Sequence, residues 1–315
     1  MRELKSFKIH LKNKVLDYRQ SEDLDLKKIR RFFCKKYQIV KLWKAPRHVL
    51  AILVKNNQKF FLKLSTSEGI SLVTENEYNW NTYFNKYNIN NSFSVPKNYD
   101  RGNYAEKYFY LITDYLVGSP LCGIAGSKDE TLKLIKYIPQ IINLSEIIQH
   151  LSQDVFLLPE YEEKDYKIRF LNKTNGWFED IPAHIIKKYK VEDLLGVVNK
   201  GIDQLDNKPR HGDFTPWHIL KLKNGKLGLI DGERAFSDGV ENYDICYLIQ
   251  RVYSILKNPE LAESIYSILI ERKYYKNNLK TVLASRAVGG FLDVTLNNET
   301  DYRFAVDFKN WVLSI

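Results

Sequence analysis

Two aspartates, Asp213 and Asp231, stand 18 positions apart on separate predicted loops, in His211-Gly-Asp-Phe-Thr-Pro-Trp-His218 and Ile230-Asp-Gly-Glu233. Between them, residues 219–222 and 227–230 are β-prone runs joined at Asn224-Gly225. Asn-Gly between two such runs is the strongest short-range hairpin signal. The predicted hairpin returns the chain beside itself, so both carboxylates emerge at one end of it. Phosphoryl transfer asks for such a pair: one carboxylate orients the attacking hydroxyl and the other holds Mg²⁺ against the phosphates.

The elements that must position this pair can be read outward from it. Residues 38–43, 48–55 and 59–64 form three β-rich runs; Lys44-Ala45-Pro46-Arg47 joins the first two and Asn56-Asn57-Gln58 turns into the third. Lys63 lies inside the apolar run Phe60-Phe61-Leu62-Lys63-Leu64 and needs a partner if buried; taken alone, it reads equally as an edge lysine that snorkels. Residues 75–88 read as a helix carrying Glu75 and Glu77, and Ser94-Val95-Pro96 begins an extended segment. Residues 108–116 read as a buried strand, and Gly118 and Pro120 then break regular structure. The chain is divided there, into an N-terminal lobe at 1–116 and a C-terminal lobe at 117–315. Residues 1–37 form an extension in which Leu26, Ile29, Phe33 and Tyr37 fall at helical spacing. Downstream, helices are predicted at 128–143, 147–157, 191–205, 242–256, 259–273, 277–288 and 302–314.

Composition narrows the function classes. With 315 residues and 44% hydrophobic content, the chain can bury sizeable cores in two lobes. A net charge of +10 raises nucleic acid as a partner, but the basic residues are spread along the chain rather than gathered in a block, and phosphate-bearing substrates also favour positive potential. Nucleic-acid binding is therefore the disfavoured reading. Cys34, Cys122 and Cys246 are sparse and distant, which reads as reduced thiols. The N-terminus lacks an apolar signal core, and no stretch reaches the roughly 18–20 apolar residues of a membrane span. The expectation is a cytoplasmic protein with no membrane partner. P-loop, Rossmann and Gly-x-Ser-x-Gly motifs are absent, and the six histidines include no His-x-x-x-His pair.

The order His-Gly-Asp, a polar residue five positions after the aspartate, a hairpin and then Ile-Asp-Gly-Glu resembles the catalytic segment of the aminoglycoside phosphotransferase and choline-kinase group of kinase-like enzymes. Their pattern reads H-G-D-x-x-x-x-N, a strand, then I-D-[WFG]-[ED]. The resemblance covers about residues 38–250. It implies an α+β, two-lobed protein-kinase-like fold: an antiparallel N-lobe sheet plus a helix, and a mostly helical C-lobe bearing the hairpin. Carried over residue by residue, it implies that Asp213 accepts the hydrogen bond of the acceptor hydroxyl and that Asp231 ligates Mg²⁺. It implies that Lys63, held by Glu77, binds the ATP phosphates, and that the main chain of Asp114 and Leu116 binds the adenine edge. His211 reads as scaffold. Asp244 reads as a brace for the catalytic loop or as a simple acid at a helix start. Glu233 reads as a contact to substrate or metal through water, or as a bracing salt bridge.

Two departures from the pattern matter. His218 stands where the family has asparagine at a second metal position, and Mg²⁺ prefers oxygen to imidazole. Three outcomes stay open: Asp231 and the phosphates carry the coordination, Mn²⁺ is accepted better, or catalysis is impaired. The segment Lys44-Ala45-Pro46-Arg47-His48 has no glycine to let backbone approach phosphate, which leaves Lys44, Arg47 and His48 to reach it with side chains. Asp244 follows Asp231 by 13 residues, leaving no room for the activation segment of a protein kinase. The resemblance thus implies transfer of the ATP γ-phosphate to a hydroxyl of a small-molecule acceptor of aminoglycoside, amino alcohol, sugar or nucleoside class. A nucleotide-binding pseudokinase and a nucleic-acid-binding module are the competing readings.

Overall fold

The computed structural model describes residues 4–88, 93–123, 128–154 and 163–315. Its first lobe is a five-stranded antiparallel sheet in the order Gln38–Lys44, His48–Lys55, Gln58–Ser65, Tyr108–Asp114 and Asn98–Tyr104. Period-two alternation sends Val49, Ala51 and Leu53 to one face with Phe60, Leu62 and Leu64 of the next strand. The helix Leu26–Phe33 closes that face through Ile29 and Phe33, and Asp25 caps it by accepting the Lys27 and Lys28 N–H groups. The helix Glu68–Tyr87 packs beside the strands Gln58–Ser65 and Tyr108–Asp114. It starts seven residues before the predicted 75, because Ser67 caps it by accepting the Ile70 N–H at 3.3 Å.

Residues 1–37 hold more than the predicted helix. A 3-10 turn at Lys5–Phe7 leads into a two-stranded hairpin, Lys8–Leu11 with Lys14–Asp17. Ile9 and Tyr18 pack there on Ile70 and Val73. A Cβ on Gly69 would come within 2.7 Å of the Asp17 carbonyl oxygen, so the glycine is what lets the two backbones meet. The turn itself is tied to the other lobe. Asp180, 2% exposed, accepts the N–H groups of Lys5 and Ser6, both at 2.9 Å, and the Ser6 hydroxyl at 2.5 Å.

Residues 115–117 lead to the second lobe, which is mostly helical around one apolar core. Its hairpin forms as predicted: Ile219–Leu222 pairs antiparallel with Leu227–Leu229, and Gly225 at φ +81° makes the turn. The strand Gly118–Pro120 flanks it on one side and Phe93–Ser94 on the other. The predicted helix 128–143 is two helices, Lys128–Ile135 and Ile138–Gln149, broken just ahead of Pro139. The second continues through the predicted gap before 147 and ends at Gln149; residues 155–157 of the predicted helix 147–157 lie outside the described residues. The helices Glu192–Gly201, Pro259–Glu271, Lys276–Leu296 and Arg303–Ser314 fall on predicted segments, and Tyr243–Gln250 runs on into a π-helical turn, Arg251–Ile255. The helices Tyr166–Asp180 and Ala183–Tyr189 have no counterpart among the predicted elements. Among the described residues, no helix is long and apolar enough to cross a membrane.

The Asp180 contacts give a test of how the N-terminal segment is held. Asp180→Ala leaves buried N–H groups without an acceptor, each costing about 1–3 kcal/mol. Amide hydrogen exchange at Ser6 and Tyr18 should therefore accelerate at least tenfold in the variant. Unchanged exchange there would show that the hairpin alone holds the segment.

Candidate active site

Three separate elements converge on the Lys63 ammonium. The strand Gln58–Ser65 carries it between the lobes, where the residue is 8% exposed. Its Nζ donates to Glu77 of the helix Glu68–Tyr87 at 2.6 Å and contacts Glu233 at 2.7 Å, and it donates to Asp231 as well. Burial alone would depress this ammonium, but the charges of Asp231, Glu233 and Glu77 outweigh it and hold Lys63 well above its ordinary pKa. Glu233, 2% exposed, also pairs with Arg47 at 2.8 Å and His48 at 3.1 Å. The charges of Arg47 and Lys63, with the hydrogen bond from His48, overcome its burial and hold its pKa well below the ordinary value. Three carboxylates share the Lys63 charge, and Glu77 is the one that yields: burial, with repulsion from Asp231 and Glu233, outweighs Lys63 and raises it to about 7.

Asp231 adopts the left-handed conformation, φ +69°, and starts the 3-10 turn Gly232–Arg234. Asn76 secures that turn by donating to the carbonyls of Glu233 at 3.2 Å and Ala235 at 2.9 Å. The loop 211–218 is seated on the same turn. Gly212, φ +82°, lies against Arg234 so closely that a Cβ would collide with the Arg234 carbonyl oxygen. Asp244, at the start of the helix Tyr243–Gln250, accepts the N–H groups of His211 at 2.7 Å and Gly212 at 2.8 Å. His211 is fully buried near Trp80 and Phe214, and burial lowers its pKa to about 4. It is a neutral wall at physiological pH rather than a proton carrier.

His218 stands between the two aspartates. Its Nδ1 is 3.0 Å from the Asp213 carbonyl, which can only accept, so that nitrogen carries a proton. Its Nε2 is 3.3 Å from an Asp231 carboxylate oxygen. A neutral ring would point a lone pair at that oxygen. Burial disfavours the imidazolium, but Asp213 and Asp231 outweigh burial and raise its pKa. Ligand atoms of Asp213, His218 and Asp231 lie within 4.8 Å of one another, and those of Glu77, Asp231 and Glu233 form a second such group. Asp231 belongs to both. The carboxylate oxygens suit a hard cation such as Mg²⁺, and the imidazole does so only after losing its Nε2 proton.

Two cavities meet here. A cleft of about 390 Å³ between the lobes is lined by Leu50, Phe61, Leu220 and Ile230, and by Lys63 and Asp231 at its inner end. Asp114 and Leu116 also line it. The Asp114 N–H is already engaged by the Lys97 carbonyl at 2.9 Å, so it does not face a ligand. The second cavity, about 310 Å³, has Asp213 in its wall and lies within the C-terminal lobe and the N-terminal segment; Arg47 borders both. Lys44, expected at the phosphates, instead pairs with exposed Asp23 and lines neither. The cations of the second cavity are the functional candidates that the sequence reading missed. Arg286 gave a signal, as a charge inside the apolar stretch Leu279–Leu292, and Arg210 adjoins the catalytic motif.

No protein-family model matches the chain, and no curated protein matches it in sequence. Solved structures do match it in fold. The crystal structure of aminoglycoside phosphotransferase APH(4)-Ia superposes with a TM-score of 0.68 at 12% identity, covering 92% of this chain and 99% of that one. A thermostable mutant of that protein, in a ternary complex with ADP and hygromycin B, gives 0.66 at 12% identity, with coverage of 91% and 97%. Choline kinase LicA from Streptococcus pneumoniae gives 0.57 at 11% identity, with coverage of 91% and 97%. The chain therefore has the two-lobed, protein-kinase-like α+β fold of these structures.

Asp244 offers a test through pH. Burial outweighs its two backbone hydrogen bonds and raises its pKa from 3.8 to about 6. A carboxyl whose folded pKa is raised contributes stability that is full below the unfolded value and lost as pH rises through the folded one. Taking the chain from pH 4 to 7 should therefore cost it about 2 kcal/mol relative to Asp244→Asn. Denaturant unfolding of both proteins across that range checks this. A stability difference that stays flat, or moves the opposite way, would mean that the N–H donors dominate burial.

Proposed function

We propose that this chain is an ATP-dependent small-molecule kinase that transfers the γ-phosphate to an alcohol. The observation that carries this reading is the junction of the two cavities. Asp231 and Lys63 close one, Asp213 opens into the other, and His218 sits between the aspartates. The fold shared with a phosphotransferase seen with ADP and hygromycin B supports it. In this reading the adenine lies between Leu50, Phe61, Leu220 and Ile230, beside the main chain of Leu116 and the Asp114 carbonyl. Lys63, positioned by Glu77, and Arg47 face the phosphates. Asp231 holds the metal, with His218 as a second donor; when bound, Mg²⁺ neutralises phosphate charge as it builds. Asp213 accepts the acceptor's O–H and aims its oxygen, Asp244 and His211 fix the loop, and Glu233 braces Arg47 and Lys63.

The direct contacts of Lys63 and His218 with Asp231 support a second reading, a nucleotide-binding protein with little turnover, since two cationic side chains already serve the metal carboxylate. Binding and turnover measured together separate the two readings. Thermal stabilisation by ATP with Mg²⁺ or Mn²⁺ should follow mass action. Asp231→Asn should weaken metal-dependent nucleotide binding at least tenfold. Asp213→Asn should leave it intact and lower turnover a hundredfold or more, within the span of general acid–base contributions. Equal loss of nucleotide affinity in both variants contradicts these roles; ATP binding with no turnover toward any acceptor favours the second reading.

His218→Asn restores an oxygen donor beside Asp231. It should raise the Mg²⁺-supported rate relative to the Mn²⁺-supported rate several-fold. An unchanged ratio of the two rates would remove His218 from the metal site.

A further inference from the structure

The cavity that opens on Asp213 is strongly cationic, and four of its cations meet no carboxylate among the described residues. Three of its arginines have carboxylate partners: Arg47 with Glu233 at 2.8 Å, Arg169 with Asp238 at 2.8 Å, and Arg251 with Asp293 at 2.5 Å. Four further cations in the wall, Arg19, Lys173, Arg210 and Arg286, form no ion pair with a carboxylate among the described residues. Among the described residues, only Asp213 and Asp293 line the cavity as acids, and Asp293 is engaged by Arg251.

Arg286 is the most telling of these. It is 3% exposed on the helix Lys276–Leu296, and its guanidinium lies over the Tyr247 ring at 3.8 Å and the Trp177 ring at 4.7 Å. One nitrogen donates to the Tyr243 hydroxyl at 3.1 Å, while its buried Nε has no hydrogen-bond partner. Arg210 is held similarly, 4.0 Å over the Tyr243 ring, with a buried Nε that also lacks a partner. Its charge reaches the buried Asp244, whose oxygens are taken by two backbone N–H groups. Lys173 donates to the Ser6 carbonyl at 2.5 Å and to the Tyr18 hydroxyl at 3.1 Å, neither of them a carboxylate. Aromatic faces fix such cations in place without neutralising them. Burying a charge with no counter-ion costs several kcal/mol, and an anionic ligand would recover it through forked guanidinium hydrogen bonds.

We infer that the acceptor is a hydroxyl-bearing phosphate monoester, held by its phosphate on Arg286 and Arg210 with its hydroxyl turned to Asp213. A phosphate monoester carries about two negative charges near neutrality, which suits four unbalanced cations better than a single carboxylate does. A polyamine or choline-like acceptor meets the opposite field. This inference rests on the kinase reading above and specifies its acceptor. In the step it implies, the acceptor oxygen bonds to the γ-phosphorus as the bond from that phosphorus to the β,γ-bridging oxygen breaks. ADP leaves with that electron pair, and the hydroxyl proton passes to Asp213 and then to water.

The test titrates the full-length chain, with and without saturating Mg²⁺ and a non-hydrolysable ATP analogue, against four sets of probes. These are ribose 5-phosphate, glucose 6-phosphate and glycerol 3-phosphate; glucuronate as a carboxylate; glucose as a neutral; and hygromycin B and choline as cations. At least one phosphate monoester should bind alongside the nucleotide analogue, and inorganic phosphate should compete with it. Arg286→Gln should weaken that binding tenfold or more while the affinity for the analogue stays unchanged. Arg19→Gln, at an exposed rim position where folding is not at risk, should weaken it two- to fivefold. The inference is overturned if no phosphate monoester binds, if glucuronate, glucose or a cation binds in its place, or if both variants bind the monoester as well as the parent does. Failure of the nucleotide analogue alone would instead remove the kinase reading and leave the anion result standing.

Discussion

An ammonium group taken out of water loses several kcal/mol of hydration unless carboxylates replace it, and at 8% exposure Lys63 depends on three of them. Those carboxylates arrive from the helix Glu68–Tyr87 and from the turn that follows the hairpin of the other lobe. One nitrogen thus fixes the sheet, its helix and the turn Gly232–Arg234 relative to one another. Removing Lys63 would leave three carboxylates facing one another without their shared cation. Arg47 and His48 extend the constraint to the first loop of the sheet by sharing Glu233.

The two cavities differ in charge for a reason that follows from this arrangement. Around Lys63 three carboxylates share one ammonium, and Glu77 is raised to about 7. Across His218 the balance reverses, and basic side chains rest on aromatic rings with no acid to meet them. Arg47 borders both spaces. His218 stands between Asp231 and Asp213, where the proposed chemistry falls.

What could be read from sequence was local. Asn224-Gly225 between two apolar runs dictated the hairpin because turn chemistry and strand propensity act over a few residues. A lysine in an apolar strand announced that it needed a partner, and Glu77 lay on the next helix. The fold class, which the family resemblance of the stretch 211–235 implied, is borne out. Less legible was whatever depended on distant packing. The hairpin Lys8–Leu11 with Lys14–Asp17 is short, and its stability comes from Gly69 and Asp180, far along the chain. Lys44 was expected at the phosphates from its position beside a sheet turn, but nothing in the sequence shows that Asp23 stands nearer. The helix Tyr166–Asp180 begins at Asp165, which caps it, yet its apolar stripe is interrupted by charged residues. The cationic cavity draws Arg19, Lys173, Arg210 and Arg286 from four separate segments, and no window of sequence contains their meeting.

The close seat of Gly212 on the Arg234 carbonyl sets the spacing of the two aspartates by main chain rather than by side chain. Part of the cavity wall comes from elsewhere: the helices Tyr166–Asp180 and Lys276–Leu296 and the segment around Arg19. Under the proposed function, substitutions in those parts of the wall would alter which molecule is admitted and leave the spacing of the two aspartates where it was. Selectivity and reactivity would then be separately inherited traits, and a lineage with this architecture could exchange one acceptor for another by drift at the walls.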